Sequence, residues 1–227
     1  MITLIIALSV TILTFSWTLL SRLLELTLAE NTAIRGAMEE NVSLVWTIVL
    51  LIVGGIGGKF FKVALPTRSL DMSAFEIGVL VAGIILLAVC SGYNPGRKLY
   101  ALAQFCLVFP LGEEILFRGI IQSMVGRVPG IHSLVICLPV IGKIDFPVLI
   151  SSICFAVNHI QYHKFRITPL AIRQILIAFI GGVFLGNMVE YTNSILSALT
   201  LHISFNSVAS IYALWRHSAG HGISTVG

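Results

Sequence analysis

Glu113 and Glu114 stand side by side within an apolar run from Leu99 to Val125, and Arg118 follows in the same run. An ionisable side chain at such depth in a bilayer costs about 3 kcal/mol unless it is paired or hydrated, so it marks a functional site by default. In a helix, Glu114 and Arg118 share a face and their charges cancel. Glu113 points about 100° away, at ~3.6 residues per turn, and is left without a dedicated partner. Two further polar sets lie downstream in apolar surroundings. One is Phe155-Ala156-Val157-Asn158-His159, and the other is His202-Ile203-Ser204-Phe205-Asn206. The spacing of His202 and Asn206 puts both on one helix face, aimed at one point.

These residue types suit the attack of water on a carbonyl. A carboxylate with no fixed partner in a dry site serves as a general base. A neutral histidine beside it can orient the same water. A second histidine and an asparagine on another helix offer donors where an oxyanion forms. No serine or cysteine nucleophile is needed. Plainer readings compete at each position. A lone intramembrane His or Asn serves interhelical hydrogen bonding, and Glu114 with Arg118 reads mostly as a structural pair. Gln174, Asn187 and Glu190 read as packing or helix-end polar residues, and His132, His217 and His221 as loop and tail residues. His163 follows His159 at a metal-binding spacing, but its neighbours Tyr162, Lys164 and Arg166 place it at the membrane surface.

The elements that must hold these groups are helices in a membrane. The 227 residues are 57% hydrophobic and only 11% charged, with mean hydropathy +0.98, whereas a soluble domain carries about 25% charge. Cys90, Cys106, Cys137 and Cys154 fall inside predicted spans and read as small buried apolar residues. The net charge of +4 comes without a basic patch interleaved with aromatics, which excludes a nucleic-acid partner.

The apolar runs predict an all-α polytopic protein of about eight transmembrane helices. The spans are Ile2–Leu20, Val42–Gly58, Ala74–Tyr93, Leu99–Val125, a short Ile131–Ile141, Phe146–Tyr162, Pro169–Tyr191 and Ser194–Trp215. Residues 21–41 read as an amphipathic segment or loop. Residues 1–215 form one helical domain with its motif-bearing core at about 99–215, and 216–227 a disordered tail. Eight crossings put both termini on one side. The Lys59–Arg68 loop, Arg127, the His163–Arg173 loop and Arg216 then share the cytoplasmic face, with Arg97 and Lys98 as the exception. No internal repeat of the transporter kind is visible.

In order and without substitution, Glu113-Glu114-x-x-x-Arg118, Phe155-x-x-x-His159 and His202-x-x-x-Asn206 resemble the motifs of the CAAX-processing endoprotease and bacteriocin-processing family, also called the ABI family of intramembrane proteases. The resemblance covers roughly Phe109 to Asn206, and the first three spans take no part in it. It implies eight helices around an intramembrane cavity open to the cytoplasm, and a glutamate-type peptidase that needs no cofactor. Glu113 would be the general base and His159 would help activate the water. His202 and Asn206 would form the oxyanion hole, with Glu114, Arg118 and Phe155 in support. The resemblance also supplies the peptide bond as the target, which spacing alone does not.

The reading is an endopeptidase that cuts near the C-terminus of a protein or peptide, lipidated or not, at the bilayer. Prenylated CAAX proteins, bacteriocin precursors, signalling peptides and sorting tails all stand as substrates. The small size and short loops suggest a prokaryotic enzyme in the plasma or inner membrane. Three alternatives stay open: a zinc peptidase using Glu113, His159 and His202 as ligands, a non-catalytic immunity or scaffold protein, and a transporter with Glu113 as its ion site.

Overall fold

The computed structural model describes residues 2–27, 32–56, 65–131, 134–138 and 142–219. Helices α1 (Ile2–Thr14) and α2 (Ser16–Thr27) meet at Phe15 with a bend of 63°. They are followed by α3 (Thr32–Ile56), α4 (Ala74–Ser91) and α5 (Leu99–Gly126). Strands β1 (Val135–Leu138) and β2 (Gly142–Asp145) form an antiparallel pair with Val135 opposite Asp145. Helix α6 (Phe146–Asn158) runs into a 3-10 turn, His159–His163, before α7 (Pro169–Thr192) and α8 (Ile195–Ser218).

The fold is an all-α membrane architecture, but the crossings differ from the expected eight. Among the described residues α4, α5, α7 and α8 are long and apolar enough to span, and the bent α1–α2 pair makes a fifth if counted as one span. The expected short fifth span, Ile131–Ile141, holds β1 instead. Eleven residues of helix reach only about 16 Å, half of a ~30 Å hydrocarbon core, and β-branched Val135 and Ile136 favour a strand. Residues 21–41 differ as well: Ser21 to Thr27 continue α2, and α3 starts at Thr32, ahead of Val42. Hydropathy marks where the bilayer starts, not where the helix does. Helix α8 extends beyond Trp215 to Ser218, and the tail beyond residue 219 lies outside the described residues. The four cysteines are free thiols, and none is fully buried; Cys90 and Cys137 face outward. Outward positions in a membrane protein meet lipid as apolar as the core.

Contacts between neighbours set the direction of each helix. Gln174 near the start of α7 bonds the Ser91 carbonyl at the end of α4, while Thr67, ahead of α4, bonds Thr192 at the end of α7. Arg118 and Gln122 of α5 reach Gly182 and Gly186 of α7 in parallel order. Cys106 and Glu114 of α5 meet Ser210 and His202 of α8 in reverse order. Gly182 and Gly186 of α7 lie against Ser152 and Val148 of α6, also in reverse. One end of the bundle therefore collects the ends of α4, α6 and α8 and the starts of α5 and α7. That end carries Arg97, Lys98, Lys164, Arg166, Arg173 and Arg216. Arg68 packs over Tyr191 at the opposite end of α7, on the side of Arg127. The expected grouping of Arg68 and Arg127 with the His163–Arg173 loop thus fails. The β-hairpin returns the chain without a crossing, and Arg97 and Lys98 cease to be exceptions.

Helix α5 lies at the centre, and it widens twice into π-helix, at Gln104–Val108 and at Glu114–Gln122. Each wide stretch receives a side chain from a neighbouring helix on one of its carbonyls. Asn206 donates to Phe105 O at 2.8 Å, and Ser151 donates to Phe117 O at 2.7 Å. Such widened turns recur at functional sites. Around them Phe117, Ile121, Phe155, Ala178 and Val189 build the main apolar core with Trp46 of α3. Gly112 lets α3 close on α5, since a Cβ there would lie 2.5 Å from Trp46 Cζ3 and 2.7 Å from Thr47 Oγ1.

Gly112→Ala is accordingly expected to lower stability in detergent by about 1–3 kcal/mol through overpacking. Thermal unfolding of the purified protein reads this, and a second change, Trp46→Leu, should return part of the loss.

Candidate active site

Glu113 ends the ordinary helical turn of α5, and Glu114 opens its long wide stretch. The switch occurs between the two carboxylates and sends them to different partners. Glu114 Oε1 accepts from Arg118 NH1 at 3.1 Å, with both side chains fully buried. The Arg118 guanidinium also donates from NH2 to Gly182 O at 3.3 Å, and its carbon stands 4.3 Å over the centre of the Phe155 ring. The pair holds α5, α6 and α7 together at one level. The predicted pairing of Glu114 with Arg118 is found, although the helix there is wider than the assumed one.

His202 of α8 lies between the carboxylates. Its Nδ1 is 2.8 Å from Glu114 Oε1 and its Nε2 is 3.7 Å from Glu113 Oε2. A carboxylate oxygen only accepts, so Nδ1 carries a hydrogen toward Glu114. Nε2 then faces Glu113 either bare, acceptor against acceptor, or protonated as a donor. His159 follows similar logic. Its Nδ1 is 2.9 Å from Phe155 O, and a carbonyl only accepts, so the neutral ring keeps its lone pair on Nε2. Asn206 spends one amide hydrogen on Phe105 O and keeps the other hydrogen and its oxygen for a ligand.

Glu113, Phe155, His159, His202 and Asn206 line one cavity of about 640 Å³. Glu114 and Arg118 sit behind its wall. The cavity brings the three sequence motifs together as expected. It also takes in residues that sequence reasoning placed elsewhere. Tyr162, read as a surface residue, donates from its hydroxyl to Glu113 Oε1 at 3.0 Å. Its ring is held edge-on by Trp17, Phe109 and His159. Residues three apart eclipse in a 3-10 turn, which puts Tyr162 on the His159 side. His163, also expected at the surface, lines the same cavity and meets Gln174 at 2.8 Å.

The N-terminal half supports this turn. Gln161 donates to Thr14 O at the α1–α2 bend and accepts from the Thr18 backbone N–H at 3.2 Å and from the Thr18 hydroxyl. The turn then closes through two consecutive left-handed residues, Lys164 at φ 52° and Phe165 at φ 59°. Non-glycine residues there cost about 1–3 kcal/mol each. The Phe165 ring against Phe15 and the bond from Phe165 N to Ile160 O hold the geometry. Among the described residues, no three His, Cys, Asp or Glu side chains converge as a metal site.

The family model described as type II CAAX prenyl endopeptidase, Rce1-like, matches residues 95–208, half of the chain. The match runs from just ahead of α5 to just beyond Asn206 and contains every motif residue. No curated protein and no solved structure matches the chain.

Glu114→Ala leaves Arg118 buried with no counter-charge, which is expected to cost about 3–5 kcal/mol and lower the folded yield. Adding Arg118→Met removes the stranded charge and should recover part of both. A monodisperse Glu114→Ala protein with an unchanged unfolding midpoint contradicts the pairing.

Proposed function

The chain belongs to the Rce1-like family of type II CAAX prenyl endopeptidases, and from this we propose that it is an intramembrane endopeptidase in which Glu113 activates the attacking water. One observation carries the reading. Of the two adjacent carboxylates, Glu114 is turned to Arg118 behind the wall, while Glu113 faces the cavity with His202 and Tyr162. Tyr162 occupies Oε1 of Glu113, so Oε2 remains to take a proton. His159 offers the Nε2 lone pair as a second anchor for the water.

Attack on the scissile carbonyl transfers one water proton to Glu113 and places negative charge on the carbonyl oxygen. The remaining Asn206 amide hydrogen and a protonated His202 Nε2 supply donors to that oxyanion. Collapse breaks the C–N bond, and Glu113 returns its proton to the departing amine. Phe155 fixes the level of Arg118 and, through its carbonyl, the tautomer of His159. No metal enters these steps, and zinc held by Glu113, His159 and His202 is the reading that the chelator test below opposes.

The substrate is a protein or peptide with a cleavable C-terminal segment, and the apolar cavity wall suits a prenylated one. The basic end of the bundle is cytoplasmic by the positive-inside rule, so the α4–α5 loop residues that line the cavity, Gly92 to Pro95, lie toward the cytoplasm. The end of α8 lies there too. The start of α1 falls on the other face, because the hairpin removes one of the expected crossings. Helices α1–α8 act as a single unit around the cavity.

Purified wild type is expected to cleave prenylated C-terminal peptides, and Glu113→Gln to be inactive at normal folded yield. EDTA and a zinc-specific chelator should leave the rate unchanged. Cleavage that survives in Glu113→Gln removes the general-base role, and chelator-sensitive cleavage points to zinc. Tyr162→Phe keeps the ring contacts and loses one hydrogen bond to a charged group, worth about 1.5–3 kcal/mol. It should lower kcat about tenfold or more with little change in KM.

A further inference from the structure

In an unbroken helix the Thr18 N–H would bond the Thr14 carbonyl, four residues back. The 63° bend between α1 and α2 parts them, and the Gln161 side chain stands between. Its Oε1 accepts from the Thr18 N–H at 3.2 Å, and its Nε2 donates to Thr14 O at 3.2 Å. A backbone N–H only donates and a carbonyl only accepts, so these two groups fix which end of the Gln161 amide is oxygen. The same Nε2 donates to Asn158 Oδ1 and, at 3.2 Å, to Asn158 O. The Asn158 amide is thereby fixed in turn. Its Oδ1 meets a donor, and its Nδ2 is left to face the Tyr162 hydroxyl oxygen at 3.3 Å.

An amide nitrogen only donates, so the Tyr162 oxygen accepts from Asn158 and its single hydrogen turns to Glu113 Oε1, 3.0 Å away. The bonds form a chain with one direction. It starts at the Thr18 N–H, passes through Gln161, Asn158 and Tyr162, and ends on Glu113, with every donor pointing toward the carboxylate. We propose that Asn158 is a positioning residue of the peptidase, which holds the Tyr162 hydrogen on Oε1 and so keeps Oε2 as the atom that takes the proton from water. The proposal rests on the peptidase reading and adds to it a residue that does not itself line the cavity.

Burial gives the chain its rigidity. Asn158 is 1% exposed and Gln161 5%. Turning either amide over would set donor against donor and acceptor against acceptor, and a mispaired polar group is costly at such depth. Bonds in series also polarise one another, which strengthens the last one, on Glu113. Without the Asn158 donor the Tyr162 hydroxyl is held at one end only. Asn158 occupies a position that the motif Phe155-x-x-x-His159 leaves open, and it turns away from the cavity that His159 faces. Helices α1 and α2 lie outside the matched residues 95–208, and the chain gives them a hydrogen-bonded route to the reacting carboxylate.

The test replaces Asn158 by leucine, close in size and without a polar side-chain atom. Gln161 keeps its bonds to Thr14 O and to the carbonyl of residue 158, so the anchor to the bend stays. On a prenylated C-terminal peptide, Asn158→Leu should lower kcat about three- to tenfold, the worth of one hydrogen bond, with KM unchanged. In a Tyr162→Phe background the same change should lower kcat no further, because the group it positions is gone. Losses that multiply in the double variant, an unchanged kcat in the single one, or a loss carried by KM overturn the proposal. Asn158→Ala runs the same cycle if the leucine variant does not fold. Orientation is read without turnover from the ultraviolet Raman doublet of tyrosine, whose intensity ratio separates a hydroxyl that accepts from one that only donates. Subtracting the Tyr162→Phe spectrum isolates Tyr162 among the five tyrosines. Asn158→Leu should move its ratio toward the donor-only value, and a ratio that stays put overturns the assignment. Activity that persists in Glu113→Gln, or is absent from wild type, defeats the peptidase reading instead, and the doublet still reports whether Asn158 orients Tyr162.

Discussion

A buried guanidinium governs this structure. Arg118 is buried at the level where α5, α6 and α7 meet, and Glu114, the Gly182 carbonyl and the Phe155 ring surround it. Each of those partners sits on a different element or a different face, so the arginine dictates how the helices register. Gly182 must be small for α6 to approach, Phe155 must stack, and Glu114 must turn away from the cavity. The last requirement separates two neighbouring carboxylates. If Glu114 neutralises the arginine, Glu113 is free to face the cavity with no permanent counter-charge, and His202 can span the two.

The half of the chain outside the family match explains why this arrangement holds. Trp46 on α3 seats against Gly112, immediately before the carboxylate pair. The α1–α2 bend anchors Gln161, and with it the short turn that presents His159, Tyr162 and His163. Neither support touches the cavity chemistry directly. Both restrain the two segments whose relative position decides whether Tyr162 can reach Glu113.

How far the site could be read from sequence follows from which physical signals survive in a linear chain. Glu113, Glu114, Arg118, His202 and Asn206 stand out because ionisable and amide groups are costly in an apolar run. Their four-residue spacing keeps a common face even where the helix widens. The widening itself left no trace, since periodicity reasoning assumes one number of residues per turn. Tyr162, His163 and Gln174 were hidden for another reason. Aromatic and basic residues at a helix end look like a membrane-interface belt, and only the fold shows that the turn folds back over the cavity. The β-hairpin was missed because a short apolar strand and a short apolar helix have the same hydropathy. That one error reversed the predicted side of every loop before it relative to those after.

The two wide stretches of α5 carry a consequence for how this helix tolerates change. A π turn holds one more residue than an α turn between the same two contacts. Deleting a single residue within 104–108 would let the stretch relax to ordinary helix while leaving Glu113, Glu114 and Arg118 in mutual register. The helix on either side would keep its register, but the Phe105 carbonyl that Asn206 bonds would be drawn back into the ordinary ladder. Glu113 and the helix that carries Asn206 are thus linked through one extra residue in α5, as teeth are phased in a gear. A change of one residue in α5 can therefore release Asn206 without altering any motif residue.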